Sequence, residues 1–170
     1  MNQDHRIVLM DRARIERTLR RMAFQIAERA GEREILLIGL NERGSAVAAV
    51  LEGCLKKALM QRVKRISWVV TKKPDVSPDL PASGKKERMV IWVDDVIFTG
   101  STMFSALQKI APEPEWYSAV AVLIDRGHRQ VPVHAEFSGI VLQTKAKEHV
   151  EVTLRNGEPD EVLLIRNTRL

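Results

Sequence analysis

Val90 to Thr102 reads VIWVDDVIFTGST, and its order of residue types decides how the rest of the chain is read. An apolar run, Met89 to Val93, has the length and β-branched character of a buried strand and ends in two adjacent carboxylates, Asp94 and Asp95. A further apolar stretch leads to Thr99, Gly100, Ser101 and Thr102, which open a helix predicted over Thr102 to Ile110. Hydroxyls, a glycine that permits close backbone approach and the free amides of a helix N-terminus form an anion cradle suited to a terminal phosphate. The carboxylates would repel a phosphate placed against them. A few residues away they accept hydrogen bonds from sugar hydroxyls or hold a water-rich magnesium shell. A polar turn with a Ser/Thr helix cap accounts for Thr99 to Thr102 alone but leaves the paired aspartates unexplained.

Working outward, the same alternation recurs. Ile15, Leu19, Met22 and Ile26 fall at helical spacing within Asp11 to Ala30, with Gly31 as the stop. Glu34 to Leu40 (EILLIGL) is a short apolar strand, and Val47, Val50, Leu51, Cys54, Leu55 and Ala58 form one stripe of a helix over Gly44 to Met60. That stripe makes Cys54 a core thiol rather than a nucleophile. Val63 to Val70 and Trp116 to Ile124 read as further strands. Between them, Thr71 to Arg88 (TKKPDVSPDLPASGKKER) is a long exposed loop whose prolines and glycine forbid a regular element, and it reads equally as a binding loop or a spacer. Short apolar strands alternating with helices predict an α/β fold with a doubly wound, mainly parallel sheet. Phe137 to Leu142, His149 to Leu154 and Glu161 to Ile165 are assigned to an appendage of short strands.

A chain of 170 residues, 45% hydrophobic and 29% charged, fits one domain spanning 1–170. No stretch approaches the roughly 18 apolar residues of a membrane span. The first dozen residues lack the pattern of a signal peptide, and one cysteine forms no internal disulfide, so a cytoplasmic setting is expected. The net charge of +5 favours a phosphate-bearing partner, polymeric or small. Between Gly53 and Pro74 the basic residues Lys56, Lys57, Arg62, Lys64, Arg65, Lys72 and Lys73 meet no acid, a patch that attracts polyanions or simply solubilises the surface. His5, His128, His134 and His149 show no zinc spacing with one another or with Cys54 and are read as structural or surface residues.

In such sheets ligands bind beyond the carboxyl ends of the strands, which singles out a second loop, Gly39 to Gly44 (GLNERG). It has the outer glycines of a Walker A loop, but Ser45 and Ala46 stand where Lys and Ser/Thr are required, so ATP hydrolysis is disfavoured. No two glycines are separated by a single residue, so the dinucleotide fingerprint is absent.

With these residues in view, VIWVDDVIFTGST resembles the phosphoribosyl pyrophosphate (PRPP) motif of type I phosphoribosyltransferases. LLIGLNERG (Leu36 to Gly44) and VLIDRGHRQVP (Val122 to Pro132) resemble the pyrimidine operon attenuation regulators, a family that is also a uracil phosphoribosyltransferase. The resemblance implies that fold, with a hood over about 126–170 and a flexible loop over about 71–88. It implies transfer of 5-phosphoribosyl from PRPP to a nucleobase, with uracil as the favoured acceptor, forming UMP and pyrophosphate with Mg2+ bound. Carried over by position, Asn41, Glu42, Arg43 and Gly44 hold pyrophosphate, with Arg43 adding charge. Asp94 and Asp95 hold the ribose hydroxyls and Mg2+, while Thr99, Gly100, Ser101 and Thr102 hold the 5′-phosphate. Phe137, Ser138 and Asp125 are the base-binding candidates, with a core position as the competing reading of Phe137. A homo-oligomer, dimer or larger, is implied as well.

The chain departs from the family at several points. Phe98 stands where purine members carry an acid, which argues against a purine mechanism of that kind. Trp68 to Pro74 (WVVTKKP) replaces a tyrosine–arginine–aspartate run, and lysine does not reproduce a bidentate arginine fork, so turnover is a separate question from PRPP binding. The alternative function is a regulator of pyrimidine genes that binds leader mRNA and uses the PRPP site as a sensor. By resemblance Arg17, Arg21, Arg126, His128 and Arg129 would contact RNA, whereas His134 and Ile140 stand at positions expected to be basic.

Overall fold

The computed structural model describes residues 5–60, 62–70, 77–82, 87–110, 116–145 and 147–166. Most of the loop expected over 71–88, including Lys72, Lys73 and Pro74, lies outside these residues; the described part, 77–82, has no regular structure.

Five parallel strands form the main sheet. β2 (Glu34–Leu40), β3 (Val63–Trp68), β4 (Arg88–Ile97), β5 (Trp116–Asp125) and β6 (Phe137–Val141) lie in the order β3-β2-β4-β5-β6. The strand signal was continuous hydrophobicity because both faces are covered: all of β2 is buried. On one face α1 (Arg12–Ala30) and α2 (Asn41–Leu59) bury Leu19, Met22, Ile26, Val47 and Leu51 against Ile35, Leu37, Ile91 and Ala121. On the other, α3 (Ser101–Leu107) sets Met103 and Ala106 with Leu36, Ile38, Trp92 and Val122. Alternate residues of each strand therefore enter opposite cores. α1 begins where Asp11 caps it, its Oδ1 accepting from the Arg14 amide at 2.7 Å, and ends at Gly31.

A second, antiparallel sheet forms the hood, in the order β1-β8-β7, from β1 (His5–Met10), β8 (Glu158–Arg166) and β7 (Glu148–Arg155). Val150, Val152, Val162 and Leu164 of this sheet join the core on the α1 and α2 face.

Five expectations change. α2 begins at Asn41 rather than Gly44, so the second half of the glycine loop is its first turn. β1 was not read from the sequence, because the strand it pairs with lies at the other end of the chain. β6 was assigned to the appendage but is the edge strand of the main sheet, with Phe137 beside Ala121. Arg88 was placed in the loop but begins β4, 1% exposed, with its Nη2 3.7 Å from Glu34 and its guanidinium carbon 5.7 Å from the Trp116 ring centre. α3 stops at Leu107 rather than Ile110. Cys54 sits half-buried against the core, where burial raises its thiol pKa.

Leu37 has no exposed surface, so Leu37→Ala is expected to lower unfolding free energy by about 2–5 kcal/mol, read from urea denaturation.

Candidate active site

β4 carries Asp94 and Asp95 to the carboxyl edge of the sheet, flanked by the start of α2 on one side and α3 on the other. Asp94 is 8% exposed, and its Oδ1 accepts from the Asp95 amide at 3.0 Å. Burial pushes the Asp94 carboxyl well above the ordinary carboxylate range, and the neighbouring Asp95 charge adds to the effect. Burial also raises Asp95, opposed by hydrogen bonds from Asp94 and the Val96 amide and by the charge of Arg43. Two acids forced together out of water form a site that favours a cation or hydroxyl donors from a ligand. Among the described residues, no cluster of three or more His, Cys, Asp and Glu side chains converges as a metal cage. Two carboxylates are the kind of partial shell that Mg2+ accepts when water and substrate oxygens complete it.

The start of α2 is held against these acids by the absence of a side chain. A Cβ at Gly44 would lie 2.7 Å from the Val93 carbonyl oxygen and 3.0 Å from Asp94 Oδ1. Asn41 takes a left-handed φ of 54°, and its Oδ1 accepts from the Val70 amide at 3.1 Å, tying the turn to the exit of β3. Glu42 is exposed in the first turn of α2. Arg43 reaches from this turn to the hood, donating from Nη2 to Glu151 Oε1 at 2.5 Å. On the far side of the acids Thr99 and Ser101 share a 2.9 Å hydroxyl hydrogen bond, Gly100 caps α3, and Thr102 is exposed. The structure thus brings Asn41–Gly44, Asp94, Asp95 and Thr99–Thr102 to one edge.

The loop after β5 is stitched to the same edge. The Arg126 amide donates to Ile97 O and the Gln130 amide to Thr99 O, each at 3.0 Å. Asp125 is occupied: its Oδ1 accepts from the Gly127 amide and its Oδ2 from Arg129, each at 2.8 Å. Arg129 also donates to the carbonyls of Phe98 and Val133. Arg126, 4% exposed, donates to Thr144 Oγ1 at 2.8 Å and Glu148 O at 2.6 Å, with its guanidinium carbon 3.9 Å from the Phe98 ring centre. Arg126 therefore braces the loop after β5 to the start of the hood at Glu148, and Arg129 ties that same loop to the end of β5 and to the loop after β4. Phe137, 5% exposed, lies in the core on the α1 face, the competing reading of that residue. The Ser138 and Gly139 carbonyls accept from Arg21, which turns that arginine toward β6.

A cavity of about 570 Å3 opens at the carboxyl ends of β5 and β6, lined by Arg126, His128, Thr144, Lys145, Glu148 and Arg166 among others. Sequence reasoning missed the last four of these: they carry no motif, and only the return of β7 and β8 assembles them. A larger cavity of about 680 Å3 lies between α1, α2 and the β7–β8 turn, with Arg12, Arg17, Arg20 and Lys57 in its wall, and contains none of the residues assigned to PRPP or the base.

The family model of the phosphoribosyl transferase domain matches residues 9–155. Curated relatives named "Bifunctional protein PyrR" include those of Pediococcus pentosaceus, 30% identical over 94% of this chain and 98% of its own length, and Pelotomaculum thermopropionicum, 34% identical over 94% and 95%. Among solved structures, a hypoxanthine-guanine phosphoribosyltransferase of Bacillus anthracis superposes with a TM-score of 0.70 at 17% identity, covering 97% of this chain and 99% of that one. Hypoxanthine phosphoribosyltransferase of Trypanosoma cruzi in complex with IMP gives 0.71 at 18%, covering 97% and 91%. At such identities these structures speak for the fold.

The elevated Asp94 pKa makes a stability prediction. An acid raised on folding contributes stability below its unfolded pKa of about 3.9 and loses it as pH rises through the folded value. Asp94→Asn, which keeps the acceptor for the Asp95 amide, is expected to match the parent near pH 4 and exceed its Tm by a few degrees at pH 8, about 2–4 °C for each 1 kcal/mol. Calorimetry across that range checks it.

Proposed function

The chain belongs to the phosphoribosyl transferase domain family, and from that premise we propose that this single domain transfers 5-phosphoribosyl from PRPP to uracil, forming UMP and pyrophosphate. The observation that carries the reading is the buried Asp94–Asp95 pair at the end of β4, set between the Asn41–Gly44 turn and the Thr99–Thr102 cluster. Ionised carboxylates accept hydrogen bonds from the two ribose hydroxyls, while Thr99, Ser101 and Thr102 and the adjoining amides take the 5′-phosphate. The amides of the first turn of α2 face the pyrophosphate. Arg43 joins them by exchanging Glu151 for phosphate; the pair it leaves is 46% and 29% exposed, and such pairs are worth about 0–1 kcal/mol. Mg2+, held by Asp94 and Asp95 with water and substrate oxygens, supplies neutralisation of the charge that grows on the leaving pyrophosphate. The base occupies the cavity beyond β5 and β6, where the backbone and side chains of Thr144 and Lys145 offer polar partners for a pyrimidine edge.

The transferase works by positioning and electrostatics. The C1′–oxygen bond stretches, negative charge collects on pyrophosphate near Arg43, and positive charge collects on the ribose ring above the two carboxylates. A cytoplasmic homo-oligomer is the accompanying reading; none of the described helices is long and apolar enough to cross a membrane.

A second reading, an RNA-binding regulator that senses nucleotides through this site, draws support from the exposed arginines of α1, Arg12, Arg17 and Arg20. Its footprint would centre on α1 and His128, because Arg126 and Arg129 are engaged by Thr144 and Asp125.

Purified protein with PRPP and Mg2+ is expected to release pyrophosphate with uracil and not with hypoxanthine, guanine, xanthine or orotate. Release with a purine would retain the PRPP site and discard uracil. Silence with all five, alongside PRPP binding and a steep salt dependence of leader-RNA affinity, would favour the regulator. The double substitution of Asp94 and Asp95 by asparagine is expected to abolish Mg2+-dependent PRPP binding in calorimetry with the fold intact by circular dichroism.

A further inference from the structure

Joining a pyrimidine ring nitrogen to C1′ releases the proton that nitrogen carried, so the reaction needs an acceptor beside the base. The cavity beyond β5 and β6 offers few. Arg126, Lys145 and Arg166 are cations. The Glu148 carboxylate accepts from the Lys145 amide at 2.9 Å and from Arg166 Nε at 2.8 Å, contacts that hold its pKa below the ordinary range and weaken it as a base. Asp125 is closed by Gly127 and Arg129. His128 differs from all of these. Its Nε2 lies 2.5 Å from the Thr144 carbonyl oxygen, which only accepts, so Nε2 carries the hydrogen and Nδ1 of the neutral ring keeps its lone pair. Thr144 is itself fixed, 8% exposed with Oγ1 accepting from Arg126 at 2.8 Å. The His128 ring meets Phe98 edge-on at 5.2 Å, immediately before the Thr99–Thr102 cluster. A base oriented by a buried neighbour at the seam between two subsites is the arrangement of general-base catalysis.

We propose that His128 is the general base of the transfer, taking the N1 proton of uracil on Nδ1 as N1 attacks C1′. The proposal rests on the transferase reading above. The N1–C1′ bond forms as the C1′–oxygen bond breaks, pyrophosphate leaves with the bonding pair, and the proton passes from N1 to Nδ1 and then to water.

His128→Gln tests this, because the glutamine amide still donates to the Thr144 carbonyl but has no basic lone pair. Its kcat/KM for uracil is expected to fall about 100-fold or more. The acid limb of the pH profile disappears, and the Kd for PRPP in calorimetry is unchanged. 5-Fluorouracil, whose N1 proton is more acidic, is expected to lose less than uracil. Retention of kcat/KM and of the acid limb in His128→Gln, with only His128→Ala impaired, would overturn the proposal by reducing His128 to a brace, and so would equal losses with the two pyrimidines. A parent protein that releases no pyrophosphate with any base would overturn the transferase reading together with this one.

Discussion

Two adjacent carboxylates at the end of a strand covered on both faces are the constraint around which this molecule is arranged. Burial opposes the charge on Asp94 and Asp95, and the Asp95 charge adds to the effect at Asp94, so the fold must keep them where a ligand can relieve them. The parallel sheet does this by geometry, since every strand leaves its carboxyl end on the same edge and the turns after β2, β4 and β5 meet there. Gly44 allows α2 to close on β4 without a side chain between them. The acids therefore lie on a floor bounded by the backbone of these turns, with the charge of Arg43 acting on Asp95.

Above that floor the hood is fastened from within. Arg126 and Arg129 reach five carbonyl or hydroxyl oxygens and one carboxylate across the loops after β4, β5 and β6. Charged side chains used this way fix loop paths that hydrophobic packing alone leaves loose, because an arginine fork donates in several set directions. Phe98 lies beneath the Arg126 guanidinium and against His128, so the same ring that ends the β4 segment also props the wall of the next cavity.

What could be read from the sequence follows from how local each signal is. The Asp94–Asp95 pair, the Thr99–Thr102 cluster and the glycine turn before α2 are contiguous in the chain, and their residue types state their chemistry. Helices α1 and α2 were legible from spacing, and α1 ends at its capping residues. Phe137 was not, because a strand covered on both faces has no polar side to set its parity, and only its register with Ala121 sends the ring toward α1. Arg126 and Arg129 were legible as charges but not as directions. The cavity residues Thr144, Lys145, Glu148 and Arg166 come from separate segments, and nothing in their spacing announces that they meet.

The pairing of β1 with β8 sets the order in which the molecule is completed. His5 lies beside Arg166 and Val8 beside Leu163, so the first strand made waits for the last. During synthesis the five-stranded sheet has all its strands before β8 exists, and the site edge can form while the hood is still open. Until then Ile7 and Val8 belong to an unpaired strand, the kind of edge that recruits neighbouring chains. The hood closes last over a floor already built, which makes its closure the step most exposed to loss of a few residues from either end.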